Sequence, residues 1–317
     1  MTRAFVTGIG GQDGSYLAER LLADGVAVHA LTHHADDLRY CPDGIVLHPG
    51  DVTDLAGTRA LLLDLAPDEV YNLAAVSSVA RSWERPEETL LVNGTAAVSL
   101  MRAALASQAR SGRAVRFVQA SSAEIFGRPD RSPQDESTPV RPVNPYGEAK
   151  ALAHQAVAEH RERGLHAVSA ILYNHESPRR PVTFVTRKIT STVAAIARGE
   201  AETLTLGNLD VRRDWGWAPD HVDAMVRAAR AGRPDDYVVA TGESHSVREL
   251  ALAAFAHAGV TDGAARLRSD EALSRPTDAL DLTGDASRAR ERLGWKPTLT
   301  FPEIVARMVD ADLHPPP

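Results

Sequence analysis

Ser122, Glu124, Tyr146 and Lys150 bring a hydroxyl, a carboxylate, a phenol and an ammonium into one stretch of the chain. Together these groups can move a hydride and a proton. On a helix beginning near Tyr146, the phenol and the Lys150 amine lie four residues apart and share a face. A neighbouring ammonium favours the phenolate, so the spacing predicts a tyrosine that acts as a base well below the reference phenol value of about 10. By itself Y-x-x-x-K is also ordinary helix surface, so its meaning depends on the elements around it.

Those elements begin at residues 3–7 (R-A-F-V-T), which read as a short buried strand. Gly8, Gly11 and Gly14 follow at G-x-x-G-x-x-G spacing, with Gln12 and Asp13 between them, and residues 15–22 carry apolar residues at helical spacing. Strand, glycine turn and helix in that order form the setting of a dinucleotide-binding loop. Glycines let the backbone approach a pyrophosphate, and the free N–H groups at the helix start bind it. A second strand, 26–31, ends in Thr32-His33-His34, with Asp36, Asp37 and Arg39 beyond. An acid there would favour NAD and arginines NADP; the signal is mixed. Adjacent histidines diverge and no third ligand is apparent, so no metal site is expected. A third strand ends at Gly50-Asp51-Val52, where the aspartate is placed to meet an adenine edge. A fourth, 67–75, carries Leu73, Ala74 and Ala75, small enough at its end for a nicotinamide riboside to lie close or for tight helix packing. A helix over 86–110, a strand over 115–120 leading to Ser122 and Glu124, a helix over 146–162 and a strand over 166–173 follow.

This alternation predicts an α/β fold: a doubly wound parallel Rossmann sheet, with ligands at the carboxyl ends of its strands. A smaller, mostly C-terminal lobe would bind substrate. The expected division is 1–174 plus about 210–242 for the dinucleotide, and about 175–209 plus 243–317 for the substrate. After Tyr173 the rhythm loosens. Residues 174–180 (N-H-E-S-P-R-R) read as a polar loop too charged to be core, and 184–198 as a helix. Arg179, Arg180, Lys188, Arg213 and Arg275 are candidates to converge on a diphosphate, though singly each reads as a solvated surface cation. Helices over 220–230, 247–258 and 301–312 and a strand over 237–241 complete the reading.

Bulk properties narrow the function class. The chain has 317 residues, 24% charged and 44% hydrophobic, with formal net charge −7. That balance fits a globular enzyme and, without a basic run, argues against a nucleic-acid partner. The single cysteine, Cys41, excludes an intrachain disulfide and fits a reducing cytoplasm. No signal peptide is read at the N-terminus, and no stretch approaches the roughly 20 apolar residues of a membrane span.

The motifs together resemble the extended short-chain dehydrogenase/reductases, and within them the GDP-mannose 4,6-dehydratase family along nearly the whole chain. T-G-I-G-G-Q-D-G-S-Y-L-A-E (7–19), 67–75, 116–127 and 144–150 are shared widely in the superfamily. N-H-E-S-P-R-R-P-V-T-F-V-T-R-K-I (174–189), 206–225 and 275–285 are specific to the dehydratases. The resemblance implies Tyr146 as base for the sugar 4-hydroxyl with Lys150 as its partner. It implies Ser122 as a hydrogen-bond partner of that hydroxyl and Glu124 as the acid/base for the C5 proton and the C6 hydroxyl. It places Gly8, Gly11, Gln12, Asp13, Gly14, Asp51, Val52, Leu73, Ala75, His175 and Arg180, with Tyr146 and Lys150, at cofactor positions. Ser77, Asn174, Val185, Lys188, Arg213, Arg275 and Asp278 fall at nucleotide-sugar positions.

The implied reaction is an internal redox dehydration of GDP-mannose to the 4-keto-6-deoxy sugar nucleotide, with tightly held NADP, or NAD as the alternative. A homodimer is implied, with a tetramer as the alternative. Departures from the family pattern are His33 and His34 in place of paired arginines, a shortened segment after them, Ala123 beside the glutamate, and Asp278 in place of a glutamate. A related nucleotide sugar as substrate, with dehydration, reduction or epimerisation, stays open. So does a silent NADP-binding sensor, which the presence of all four catalytic-type residues disfavours.

Overall fold

The computed structural model describes residues 1–33, 38–273 and 281–315. His34, Asp36, Asp37, Arg275 and Asp278 lie outside the described residues.

Ala4, Phe5 and Val6 are wholly buried because β1 (Arg3–Thr7) has a parallel strand on each side and helices over both faces. Its glycine turn opens α1 (Gln12–Ala23), which returns to β2 (Ala27–Thr32) and then β3 (Val46–Pro49). The chain crosses through α2 (Leu55–Leu65) to β4 (Glu69–Asn72), shorter than the expected 67–75. A brief α3 (Val79–Glu84) precedes α4 (Pro86–Thr89), a π turn over Leu90–Thr95 and α5 (Ala96–Ser111). Then come β5 (Arg116–Ser122), a 3₁₀ turn (Ala123–Phe126), α6 (Pro145–Glu162) and β6 (His166–Leu172).

These strands and a later one form a seven-stranded sheet whose neighbours are all parallel. One face packs on α1 around Leu17, Leu21 and Tyr71; the other packs on α2, α5 and α6 around Phe5, Leu62, Phe117 and Val157. The strand order reverses between β1 and β4, so the glycine turn and Leu73–Ala75 meet at the switch point where such sheets bind ligands.

The continuous helix Pro86–Ser111 corrects one expectation: by length and a mean hydropathy of 1.3 it matches a membrane span. Half of that window is buried in the fold, where Leu100, Met101 and Ala104 face α2 and the sheet. Its apolar character is that of a core helix. The π turn brings Asn93 to the loop after β4, where its side chain bonds both the N–H (2.7 Å) and the carbonyl (3.0 Å) of Val76.

Beyond β6 lie β7 (Asn174–Glu176), α7 (Val185–Ala197), β8 (Leu204–Leu206), β9 (Arg212–Trp217), α8 (Ala218–Ala229) and β10 (Asp236–Val239). Next come β11 (Ser244–Ser246), α9 (Val247–His257), α10 (Gly263–Arg266), β12 (Leu267–Ser269), β13 (Asp281–Leu282), α11 (Ser287–Leu293) and α12 (Phe301–Leu313). β10 closes the large sheet against β6, while β7, β11 and β13 all pair with β9 in a small one. A third core, with Ile189, Trp215, Phe255 and Val309, joins α7, α9 and α12.

The segment expected as a polar surface loop is different in the structure. Residues 174–176 form β7, and His175, Glu176 and Ser177 are buried. Internal pairing offsets the charge: Glu176 Oε2 accepts from Arg180 Nε (2.9 Å) and Thr186 Oγ1 (2.6 Å). β9 was not expected either. Its sequence R-R-D-W-G-W buries Asp214 completely, and that carboxylate accepts from the Thr241, Gly242 and Gly284 backbones, pinning the neighbouring loops.

Candidate active site

The glycine turn is built for close approach. Gly8 has φ +77°, and a Cβ there would lie 2.8 Å from the Ala74 nitrogen. A Cβ on Gly14 would stand 2.2 Å from the Gly8 carbonyl oxygen. Gly11 is the N-cap of α1 and offers no side-chain cap, so the first-turn N–H groups stay available to an anion. Glycine packing and an uncapped helix start fit a dinucleotide pyrophosphate.

Gln12 and Asp13 join this turn to β7. Gln12 Nε2 donates to the His175 carbonyl (3.1 Å), and its Oε1 accepts from Ser177 Oγ (2.7 Å). His175 Nε2 meets Asp13 Oδ2 at 2.8 Å while its Nδ1 meets the Tyr173 carbonyl at 2.7 Å. Burial pushes the Asp13 carboxyl up, but His175 and then Arg180 outweigh it and hold it well below the usual carboxylate range. Beneath His175 stacks His221, ring centroids 4.3 Å apart, itself pushed far down by burial. At the strand end expected to meet an adenine, His33 Nε2 sits 3.2 Å from Asp51 Oδ2, and Thr53 donates twice to Asp51 Oδ1. Val52 follows at the same strand end, half-buried.

The catalytic-type residues meet where β5 ends against the start of α6. Ser122 ends the strand, and its Oγ accepts from the Glu124 N–H (3.3 Å) in the 3₁₀ turn. Asn144 caps α6 by accepting from the Gly147 N–H (2.7 Å), and its Nδ2 donates to Glu124 Oε2 (2.9 Å). Lys150 is buried, and Nζ donates to the Ala120 carbonyl at 2.8 Å. Burial lowers this amine to about 8, with Asp13 opposing.

The phenol departs from expectation. Burial pushes Tyr146 up to about 12, with Ser122 pulling it down, Glu124 raising it and Arg180 lowering it. The Lys150 ammonium, expected to favour the phenolate, stands 5.8 Å from the ring centroid and bonds a carbonyl instead. In the protein alone, desolvation wins.

A cleft of about 340 Å³ opens here. Ser122, Glu124, Tyr146 and Lys150 line it, together with the expected cofactor residues Asp13, Leu73, Ala75, His175 and Arg180 and the expected nucleotide-sugar residues Ser77, Asn174, Val185 and Arg213. Of the four candidate diphosphate cations among the described residues, Arg180 and Arg213 reach it. Arg179 is committed to α1, stacked on the Tyr16 ring (3.8 Å) and bonded to Ser15 and Glu19. Lys188 is not part of the lining; its Nζ donates to the Thr205 carbonyl (2.9 Å). Two residues that sequence reasoning passed over are structurally central. Asn144 was readable, since Asn before Pro-Tyr-Gly is an N-cap signature. His221, a lone histidine on a helix, carried no signal.

Comparison with known proteins places this geometry in a family. A family model described as GDP-mannose 4,6 dehydratase matches residues 5–308. GDP-mannose 4,6 dehydratase 1 of Arabidopsis thaliana is 44% identical over 325 residues, covering 98% of this chain and 90% of its own. Among solved structures, Thermus thermophilus UDP-glucose 4-epimerase in complex with NAD superposes with TM-score 0.86 at 28% identity, covering 99% of this chain and 100% of its own. RMD from Pseudomonas aeruginosa, complexed with NADPH, superposes with TM-score 0.80 at 25% identity over 99% of both chains. With the match spanning the glycine turn, the catalytic cleft and the small lobe alike, this chain belongs to the GDP-mannose 4,6-dehydratase family.

Proposed function

We propose that the protein removes water from GDP-mannose, giving GDP-4-keto-6-deoxymannose with no net change in its cofactor. The observation that carries the reading is Glu124 in the same cleft as Ser122, Tyr146 and Lys150. A dehydrogenase or 4-epimerase has no need of a carboxylate for elimination; a 4,6-dehydratase does.

Residues at the glycine turn, with His175 and Arg180, would hold a nicotinamide dinucleotide. When bound it supplies the hydride acceptor, the hydride donor on return, and a positive charge that favours ionised Tyr146. Tyr146 takes the proton of the 4-hydroxyl, with Ser122 orienting that hydroxyl and Lys150 setting the local field. The resulting 4-ketone acidifies C5, whose proton Glu124 removes. Glu124 then protonates the departing C6 hydroxyl, because its neighbour Ala123 has no proton to give. Among the described residues, the other two carboxylates of the cleft are engaged, Asp13 by His175 and Glu176 by Arg180 and Thr186. Arg213, Asn174, Ser77 and Val185, which line the cleft, would receive the nucleotide sugar.

For the cofactor we favour NADP, on the family resemblance and the absence of an acid at Thr32 or His33; NAD is the second reading, because an imidazole at His33, beside Asp51, offers a 2′-phosphate less than a guanidinium fork. Denaturing the purified protein and identifying the released dinucleotide decides it; NAD alone overturns NADP. The assembly we favour is a homodimer through the helices over 86–110 and 146–162, where Leu90, Leu91 and Leu152 are exposed. The function is tested by mass spectrometry after incubation with a panel of nucleotide diphosphate sugars. Loss of one water from GDP-mannose is expected. Faster conversion of another sugar nucleotide, with GDP-mannose intact, overturns the substrate. Glu124→Gln should bind both ligands yet lose dehydration by on the order of 10²-fold.

A further inference from the structure

Glu124 and Tyr146 belong to different elements, yet elimination requires both to face one sugar at a fixed separation. Asn144 is the residue that joins them. Its side chain is buried and makes two hydrogen bonds, one to each element. The amide orientation follows from chemistry: a backbone N–H at Gly147 is satisfied by Oδ1, which leaves Nδ2 facing Glu124. An amide nitrogen only donates, so Glu124 Oε2 is held as an acceptor, and a proton on that oxygen would weaken the bond, which favours Oε1 as the oxygen that takes it. The junction is also tight. A Cβ on Gly147 would lie 2.6 Å from the Glu124 carbonyl oxygen, so the helix start is packed directly against the glutamate turn.

We propose that Asn144 is a positioning residue that occupies Glu124 Oε2 and leaves Oε1 as the one oxygen that exchanges protons with the substrate. The inference rests on the reading of Glu124 as the elimination acid/base. In that step the C5–H bond breaks and its proton passes to Oε1. The C5–H electron pair forms the C5–C6 double bond as the C6–O bond breaks, and the Oε1 proton leaves with that oxygen as water. Carboxylate, charge and atoms are restored.

Serine and aspartate cap helices about as well as asparagine. A serine hydroxyl ends short of Oε2, however, and an aspartate presents it with a like charge. The test uses the cofactor-loaded enzyme with GDP-mannose, following nicotinamide reduction by absorbance and water loss by mass spectrometry. In Asn144→Ser and Asn144→Asp, reduction should stay within about threefold of wild type while water loss slows about 10- to 100-fold, so reduced nicotinamide accumulates. Aspartate should be the slower of the two. Equal slowing of both steps, or of neither, overturns the proposal.

A second readout needs no turnover. Asn144→Ser should lower the thermal midpoint in the wild-type background and clearly less in a Glu124→Ala background, because the bond it breaks is already gone. Equal losses in the two backgrounds overturn the clamp. If wild type leaves GDP-mannose intact while the thermal coupling is present, the substrate assignment falls and the clamp stands.

Discussion

Replacing Lys150 by methionine should stabilise or destabilise the fold according to pH, by an amount the structure sets. Burial lowers this amine from 10.5 to about 8. Between those values the unfolded chain holds a proton on Lys150 that the folded chain has released, so this group makes stability rise with pH across the window. Below about pH 8 the lysine is charged in both states, and the folded state carries the full desolvation cost of about 3 kcal/mol, at about 1.36 kcal/mol per unit. Going from pH 7 to pH 10 relieves roughly 2–3 kcal/mol of it. Methionine keeps the apolar stem and removes the charge. It also leaves the Ala120 carbonyl without its donor, a cost of roughly 1–3 kcal/mol that does not depend on pH. The difference between the two pH values is therefore the diagnostic quantity, because every other titrating group cancels between the proteins. Urea unfolding of both, freed of dinucleotide, should show wild type gaining on Lys150→Met by roughly 2–3 kcal/mol from pH 7 to pH 10. A constant difference would refute the burial argument. The variant should lose turnover at every pH.

Gly147→Ala should cost about 1–3 kcal/mol and slow dehydration by on the order of 10²-fold, since its Cβ meets backbone at 2.6 Å and must shift α6 away from Glu124; melting curves and product assays check both. Asp13→Asn should lower stability at pH 7 by on the order of 2 kcal/mol. Because the folded carboxyl is held down, its contribution is present above the unfolded carboxylate range and is lost as pH falls, so the deficit should shrink below about pH 4 in urea titrations. Leu152→Glu should convert a dimer to a monomer in light scattering, since Leu152 lies beside Leu90 in the exposed apolar face; a wild-type tetramer at micromolar concentration would contradict that assembly.

The seven parallel strands and most of their helices were legible because each is a local pattern: an apolar run, a glycine turn, a 3.6-residue period; α2 was not read. The four candidate residues were legible as a group for the same reason, Tyr146 and Lys150 being one helical turn apart, Ser122 ending one strand and Glu124 lying in the turn just after it. The small lobe was harder. β7 and β9 have few β-branched residues, and their strand character comes from pairing with each other across the intervening α7 and β8, which periodicity cannot register.

The sequence by itself determined the fold class, the cofactor turn and the residue types of the reaction, since these depend on neighbours along the chain. Only the tertiary structure decided their electrostatics. Tyr146 is raised by burial although Lys150 is its helical neighbour, because the ammonium bonds Ala120 rather than the phenol. Arg179 serves helix α1 although its neighbour Arg180 reaches the cleft, and Asp13 is held down by a histidine far along the chain. Desolvation and charge pairing depend on what folding brings alongside a group, and that distance is set in space rather than along the chain.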